Sequence, residues 1–293
     1  MIDELEAAWP VGPHEARRRL DDFLADRIAW LSRTRLRRLV GEGRCQVNGG
    51  RPLSPGVRLA AGDAISVRLP PETSAVWPER RAVPMLYEDS ELTVVEKPAG
   101  MLVHPTLGVK HGTLASALAW HWREATVRPH FVNRLDRLTS GLVVVAKTAL
   151  AARRLSAEWA ARRVEKRYWA VVAGPVPADA GEIDAPIGRV SDDKPQWRVT
   201  ELGKPALSRW RMLERRGGRV LLEFEPVTGR TNQLRIHCAY LGAPIVGDLD
   251  YGGPPAGRLF LHATSLRFRH SAGGEEIRVD SPATFAIDEA FAA

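Results

Sequence analysis

Apolar residues near the start of the chain recur at the three-to-four-residue spacing of an α-helix. This spacing predicts a helix over Glu15–Leu31. Ser32 is suited to cap a second helix, predicted over Arg33–Val40 and ending at Gly41. In the second helix the apolar residues share one side and arginines occupy the rest. The pattern therefore predicts that the chain begins with two helices.

Two short strands are predicted after these helices. The first is Cys45–Asn48, and Gly49-Gly50 forms a turn after it. The second, Ala64–Leu69, alternates apolar and polar residues. Residues 15–70 are therefore interpreted as a small helix-rich domain, preceded by an N-terminal tail of residues 1–14.

Periodicity is lost after this small domain. Between Pro70 and Pro84 the chain contains four prolines and several charges, with no steady helical or strand period. We interpret residues 71–84 as a linker between two domains.

The remainder of the chain, residues 85–293, mixes strand and helix patterns and is interpreted as one larger domain. Because the elements do not alternate as regular βαβ units, the pattern predicts an α+β fold with a mixed, mainly antiparallel sheet. In chain order the predicted elements are strand 92–96, helix 113–122, strand 141–146, helix 149–163, strands 167–173 and 219–225, helix 233–241 and strand 259–269.

Charge is concentrated in the first quarter of the chain. The whole sequence of 293 residues carries a net charge of +7, which is only a mild sign of a polyanionic partner. Residues 15–70 alone contain twelve arginines, no lysine and six acidic residues. This imbalance predicts a separate electropositive module. Because 44% of the residues are hydrophobic, a disordered or fibrous protein is excluded.

Several classes of protein are not supported by the sequence. The two cysteines are far apart, which excludes a disulfide framework and a Cys-x-x-Cys metal site. His111 and His121 have no metal-ligand spacing, and no phosphate-binding loop motif occurs. The acidic start is unlike a signal peptide, and no apolar run approaches the roughly 20 residues that span a bilayer. We expect a soluble cytoplasmic protein that needs no metal or cofactor.

The segment Asn133–Gly141 carries the candidate chemistry. Within it the carboxylate Asp136 lies between Arg134 and Arg137. By spacing alone a structural ion pair is favoured. The alternatives are a carboxylate that neighbouring guanidinium groups keep ionised as a nucleophile, and arginines that hold phosphates.

This segment resembles the His-Arg-Leu-Asp-x-x-Thr-Ser-Gly motif of the RluA-type pseudouridine synthases. Other segments resemble that family in the same order and spacing from Leu92 to the C-terminus. These are Val94–Met101, His104-Pro105, Gly112–Leu114, Glu165–Tyr168, Gly203–Ala206, Gly229–His237, Pro244–Asp248 and Tyr251-Gly252.

The resemblance implies an enzyme that isomerises uridine to pseudouridine in a structured RNA, with the target nucleotide flipped out of its stack. It implies that Asp136 is the nucleophile and that Tyr168 stacks on the target base. It also implies that Arg235 pairs with Asp136 and that Arg134 helps to hold the place of the flipped nucleotide. Further substrate contacts are expected from Arg137, Thr139, Arg230 and Leu234.

Three positions depart from the family pattern. Asn133 stands where the family usually has His, Asn232 replaces a second His, and Leu138 replaces a common acid. An Asn side chain can still donate and accept hydrogen bonds. We therefore expect an active site with altered surroundings or altered substrate preference. The alternatives are an RNA-binding protein with weakened catalysis and, less well supported, a nucleotide hydrolase.

The N-terminal module resembles the RNA-binding domain named after ribosomal protein four of the small subunit. Arg33 and Arg37 are its expected RNA contacts, although arginines on a helix are ordinarily solvated. By analogy the expected substrate is large-subunit ribosomal RNA, with transfer RNA as the alternative, and the protein is expected to be a monomer. The matching segments are Arg19–Asp21, Phe23-Leu24, Ser32-Arg33, Gly43–Gly49 and Gly62-Asp63.

Overall fold

A computed structural model describes residues 5–28, 33–69, 76–106, 109–125, 127, 129–189, 197–283 and 291. The chain divides into two compact units, Met1–Ala75 and Val76–Ala293. The predicted helix cap Ser32 lies outside the described residues, as do residues 70–75 of the proline-rich region. No helix in the described ranges is long and apolar enough to cross a membrane.

The N-terminal unit combines two short helices with a small antiparallel sheet. Its helices are α1 (Leu20–Arg27) and α2 (Arg33–Gly41), and its strands are β1 (Leu5–Pro10), β2 (Cys45–Val47) and β3 (Ala64–Leu69). Strand β3 lies between β1 and β2. Apolar residues of both helices and of β2 and β3 form one core, so the predicted helices and strands share a common hydrophobic interior.

Two predictions for this unit were wrong in detail. Helix α1 begins at Leu20 because Arg17 has a positive φ of 69° and Arg19 is extended, so the helix cannot start at Glu15. Residues 5–10, predicted as part of a tail, form β1. There Ala7 and Trp9 pack against the core of the unit, which explains why this segment is ordered as a strand.

Ion pairs connect α1 to α2. Asp21 is 1% exposed and accepts hydrogen bonds from Arg19 Nε at 3.0 Å and Arg37 Nε at 2.8 Å. These bonds, that of Arg19 first, lower the pKa of Asp21 to about 2. Arg33 pairs with Asp22 at 3.1 Å. Arg33 and Arg37, predicted to contact RNA, therefore also hold the two helices together.

The second unit is built on a large sheet. The strands are β4 (Met85–Glu88), β5 (Leu92–Lys97), β6 (His130–Phe131), β7 (Ser140–Ala146), β8 (Glu165–Ala173), β9 (Ala180–Asp184), β10 (Ile187–Arg189), β11 (Trp197–Val199), β12 (Leu207–Arg216), β13 (Arg219–Pro226), β14 (Leu261–Arg269) and β15 (Glu276–Asp280). The helices are α3 (Leu114–His121), α4 (Ala149–Ala160) and α5 (Gln233–Tyr240).

The sheet order places β8 in the middle of the unit. The strands follow one another as β4-β5-β7-β14-β8-β13-β12-β9, with β6 on β7, β15 on β14, and β10 and β11 as a separate pair. Apart from the parallel pair β7–β14, the pairs among the described strands are antiparallel. The predicted α+β class with a mixed, mainly antiparallel sheet is confirmed.

The parallel pair depends on a glycine. Ser140 pairs with His262 and Gly141 with Ala263. Gly141 has a φ of +113°, and a Cβ there would lie 2.3 Å from the carbonyl oxygen of Ala263. Only glycine combines this backbone conformation with so close an approach. The pairing fixes the end of the loop that carries Asp136.

We expect Asp21→Asn to destabilise the N-terminal unit by about 1–2 kcal/mol at neutral pH, because it removes charge-assisted hydrogen bonds from half-exposed arginines. An unfolded Asp has a pKa of about 3.9. The stabilisation by Asp21 is therefore complete above about pH 4 and is lost as the pH falls towards 2. Hydrogen exchange of the α1 and α2 amides in the full chain measures it.

Asp22→Asn is the matched control, because Asp22 is adjacent but 35% exposed. Equal protection in both variants at neutral pH would contradict the role given to Asp21.

Candidate active site

A cleft of about 640 Å³ in the second unit collects the chemistry predicted from the sequence. Its walls come from the loop before α3, the loop between β6 and β7, strand β8, the turn after β13, and α5. Its size falls in the range of small-molecule pockets. The predicted site residues that line it are Arg134, Asp136, Arg137, Thr139, Tyr168, Arg230 and Leu234.

The loop that carries Asp136 is anchored to β7 by Asn133. The Asn133 side chain donates from Nδ2 to the Leu142 carbonyl at 3.3 Å and accepts at Oδ1 from the Val144 amide at 2.7 Å. Within the loop the Thr139 amide donates to the Asp136 carbonyl at 3.2 Å. Asn133, one of the departures from the family pattern, thus has a structural role that uses both polar atoms of its amide.

Lys97 holds the same loop by a hydrogen bond to one of its carbonyl groups. Its side chain is fully buried at the end of β5, and Nζ donates to the carbonyls of Pro98 at 2.9 Å, Met101 at 2.8 Å and Arg137 at 3.2 Å. Burial lowers the pKa of Lys97 to about 7. Lys97 lies within the family-like segment Val94–Met101, but no role was predicted for it. Its total burial depends on tertiary packing that local sequence does not reveal.

The carboxylate of Asp136 is partly withdrawn from water. Burial raises its pKa, while the charges of Arg235, Arg134 and Lys97 and a hydrogen bond from the backbone of Asn232 act in the opposite direction. A carboxylate with few water contacts keeps its lone pairs available for attack, and nearby cations favour its ionised form. This environment suits a nucleophile better than a solvated surface group.

Tyr168 lies on the central strand β8, between Phe224 of β13 and Ala263 of β14. It lines the cleft and also packs against hydrophobic cores on both sides. Burial, together with the charge of Asp136, raises its pKa well above the ordinary value. The hydroxyl is therefore protonated at neutral pH, and the ring offers a flat apolar surface beside the carboxylate.

The predicted pairing of Arg235 with Asp136 was wrong. Arg235 is 5% exposed on α5, and its guanidinium binds the buried Asp248 through Nε at 2.8 Å and Nη2 at 2.6 Å. Nη2 also contacts Asp250 at 2.7 Å. Bidentate pairing with Asp248 satisfies the fork of the guanidinium, so Arg235 acts on Asp136 through its charge rather than by direct contact.

The cleft is electropositive. Asp136 is the only acid among the described residues that line it. The Thr139 hydroxyl is buried there with no hydrogen-bond partner in the described part of the chain, which leaves it available to a bound molecule. The basic residues on the walls are Arg134, Arg137, Lys166 and Arg230; His104 also lines the cleft, but burial and the charge of Arg134 lower its pKa.

Comparison with known proteins is decisive for the family. Residues 91–240 match the sequence profile described as RNA pseudouridylate synthase. The "Ribosomal large subunit pseudouridine synthase D" of Vibrio vulnificus is 35% identical over 304 residues, covering 96% of this chain and 92% of that protein. The chain belongs to the RNA pseudouridylate synthase family. The predicted activity is thereby confirmed: the protein is an isomerase that acts on RNA.

Further similarities agree with this family. The "Uncharacterized RNA pseudouridine synthase YlyB" of Bacillus subtilis is 37% identical over 273 residues, covering 90% of each chain. Among solved structures, "Human RNA Pseudouridylate Synthase Domain Containing 1" is 28% identical, with a TM-score of 0.61 over 72% of this chain and 87% of that one. The matched profile lies within the second unit of this synthase, so the predicted RNA-binding domain is outside it.

The remaining predicted residues have structural contacts of their own in this synthase. Arg230 donates from Nε to the Pro205 carbonyl at 3.0 Å, and Arg137 donates from Nε to the Gly100 carbonyl at 3.2 Å. Leu138, the third departure, packs against a hydrophobic core that includes Leu234. The described residues contain no group of three or more His, Cys, Asp or Glu side chains that could hold a metal ion.

Activity is expected to fall at low pH with a midpoint above about 3.9, the pKa of an unperturbed Asp. Burial raises the pKa of Asp136, and a carboxylate that serves as the expected nucleophile can attack only in its ionised form. Arg134→Gln removes a charge that lowers this pKa, so the midpoint should move to higher pH. Single-turnover rates measured across pH on folded protein test this, with the exposed Arg153→Gln as control. A midpoint that falls in Arg134→Gln would contradict the assignment.

Lys97→Met is expected to lower the melting temperature by at least about 5 °C. It leaves three carbonyls without their donor, and each unsatisfied buried group costs about 1–3 kcal/mol. Thermal unfolding of the full chain measures the loss, and Lys110→Met, at an exposed position, is the control. Unchanged melting in Lys97→Met would mean that removing the buried charge offsets the lost hydrogen bonds.

Proposed function

We propose that this synthase isomerises specific uridines of large-subunit ribosomal RNA, with Asp136 as its nucleophile. The observation that carries the proposal is the cleft itself. A single carboxylate, partly withdrawn from water, lies beside the ring of Tyr168, and the remaining charged groups on the described walls are basic.

The reaction requires one bond exchange. The bond between ribose carbon 1′ and uracil N1 breaks, the base rotates, and carbon 1′ joins carbon 5 of the same base. Carbon 5 then loses its proton and N1 gains one. Asp136 assists departure of the base, either by attack at carbon 1′ or by taking a ribose proton, while Tyr168 supports the detached uracil by stacking.

The basic walls suit the phosphates that flank a flipped nucleotide. Guanidinium groups bind phosphate through paired hydrogen bonds, and Arg134, Arg137 and Arg230, which line the same cleft as Asp136, are suited to this role. Lys166 adds a positive charge from β8, and the unpartnered Thr139 hydroxyl offers a hydrogen bond. These contacts compensate for the energy needed to unstack the base.

We also propose that the N-terminal unit is an RNA-binding domain of the type named after ribosomal protein four. Its arginine excess supports this, and so does the exposure of Arg33 and Arg37, whose side chains stay 66% and 54% accessible although they are paired with acids. Such arginines can bind a phosphate without giving up their place on the helix.

The choice of ribosomal RNA rests on the Vibrio vulnificus relative, whose name gives its substrate and whose similarity extends over 96% of this chain. A monomer acting in the bacterial cytoplasm fits a substrate that is a large asymmetric RNA. Transfer RNA is the alternative substrate. An RNA-binding protein with weakened catalysis is less well supported, because Asn133 keeps its loop in place.

Tritium release from RNA labelled at carbon 5 of uracil tests the proposal. The RNA is taken from a strain that lacks this protein, so that its target sites are unmodified. Wild type should release tritium, and Asp136→Ala should lose on the order of a thousandfold or more of the rate. Asp179→Ala, which removes an exposed carboxylate outside the cleft walls, should keep it.

Fractionation of the RNA then identifies the substrate. Release confined to RNA of the large ribosomal subunit supports the proposal. Release from transfer RNA would instead identify transfer RNA as the substrate. No release by wild type, together with salt-sensitive RNA binding, would favour the binding-protein alternative.

A further inference from the structure

Asn232 approaches Asp136 in an unusual backbone conformation. It precedes α5 with φ 52° and ψ 24°, the left-handed region that Asn adopts more readily than most residues. From this position its backbone N–H is close enough to lower the pKa of the Asp136 carboxyl, and its side-chain amide faces the same group. Backbone and side chain of one residue therefore converge on the nucleophile.

The orientation of the Asn232 amide follows from its neighbours. One of its two polar atoms lies 3.3 and 3.1 Å from the oxygens of Asp136, and the other lies 3.1 Å from the Tyr251 hydroxyl. An amide oxygen so close to a carboxylate would be repelled, whereas the nitrogen donates to it. We therefore assign the nitrogen to the Asp136 side. The amide oxygen then faces Tyr251 and accepts a hydrogen bond from its hydroxyl.

The opposite orientation would let the amide oxygen accept from Arg235 at 3.3 Å. That contact is long, and the guanidinium is already bound by Asp248 and Asp250. The gain from it is smaller than the repulsion at the carboxylate, so the assigned orientation is favoured.

Tyr251 is itself held in place. The guanidinium carbon of Arg235 lies 4.9 Å from the centre of its ring, a favourable cation–π distance. Arg235 is in turn fixed by its bidentate bond to Asp248. Arg235, fixed by Asp248, therefore holds the Tyr251 ring. The Tyr251 hydroxyl orients the Asn232 amide, and the amide orients the Asp136 carboxylate.

We propose that Asn232 and Tyr251 are a positioning pair that orients the Asp136 carboxylate for attack. The inference rests on the proposed function, in which Asp136 is the nucleophile. Neither residue is among those that line the cleft, so the pair acts through Asp136 and not on the RNA. An amide does not titrate, and so it holds the carboxylate equally well across the working pH range.

Two variants isolate the pair. Asn232→Gly keeps the left-handed backbone and its N–H but removes the amide, and Tyr251→Phe keeps the ring but removes the hydroxyl. On the tritium-labelled RNA described above, each should lower kcat by about 10- to 100-fold, because a small misplacement of a reacting group is costly. The KM should change less than about twofold, since uniform substrate binding is untouched.

The acid limb of the pH profile gives a readout that a general loss of structure would not move. Asp136 also faces the charges of Arg235, Arg134 and Lys97 and the hydroxyl of Tyr168, which both variants keep. Loss of the amide donor alone should therefore raise the midpoint of the acid limb in Asn232→Gly. The double variant should be no slower than the slower single one, because the two residues act as one unit.

Asn232→His provides rescue, because His tolerates the left-handed region and its ring N–H can donate. It should recover most of the rate lost in Asn232→Gly at neutral pH. Melting temperatures and RNA affinity confirm that each variant is folded.

The outcomes separate the two proposals. If folded Asn232→Gly and Tyr251→Phe keep the wild-type kcat and midpoint, the positioning pair is overturned while the proposed function stands. If Asp136→Ala remains active, the proposed function fails first.

Discussion

The close parallel contact between β7 and β14 is the constraint on which the active site depends. It joins strands about 120 residues apart in sequence, and it exists because Gly141 has no side chain to collide with Ala263. Beside it the Ser140 hydroxyl contacts Nδ1 of His262 at 2.8 Å and accepts a hydrogen bond from Arg258 at 2.6 Å. The loop that carries Asp136 ends at this junction. The position of this loop end is thus set by backbone packing and not by the side chains that line the cleft.

Near the active site the protein buries several polar groups together with their hydrogen-bond partners. Lys97 donates hydrogen bonds to three carbonyls, and Arg235 forms an ion pair with Asp248. Each burial would be costly alone, but the hydrogen bonds offset the loss of water. Asp136 differs from these groups, since burial raises its pKa although the charges of nearby cations act in the opposite direction. In the proposed role of Asp136 as the nucleophile, partial removal from water keeps its lone pairs available for attack.

Many members of the cleft were predictable from the sequence, because the family-like segments that carry them keep their order and spacing. Contacts that are set by tertiary packing were not. The partner of Arg235 is Asp248, a buried residue in another family-like segment, and nothing local distinguishes it from Asp136. Strand β12 was not predicted because its outward-facing arginines hide the alternation of buried Ser208 and Trp210. The arginines of α2 carry ion pairs that depend on the approach of α1.

Tyr168 and Asp136 differ in how they are supported. Tyr168 belongs to β8, which is hydrogen-bonded on both sides by β13 and β14, whereas Asp136 belongs to a loop. Interior strands open only in rare, large fluctuations, while loops sample small displacements on much shorter timescales. The aromatic ring is therefore the stationary reference of the site. A detached base stacked on this ring would rotate against a fixed surface, as the exchange of the base atom bonded to the ribose requires.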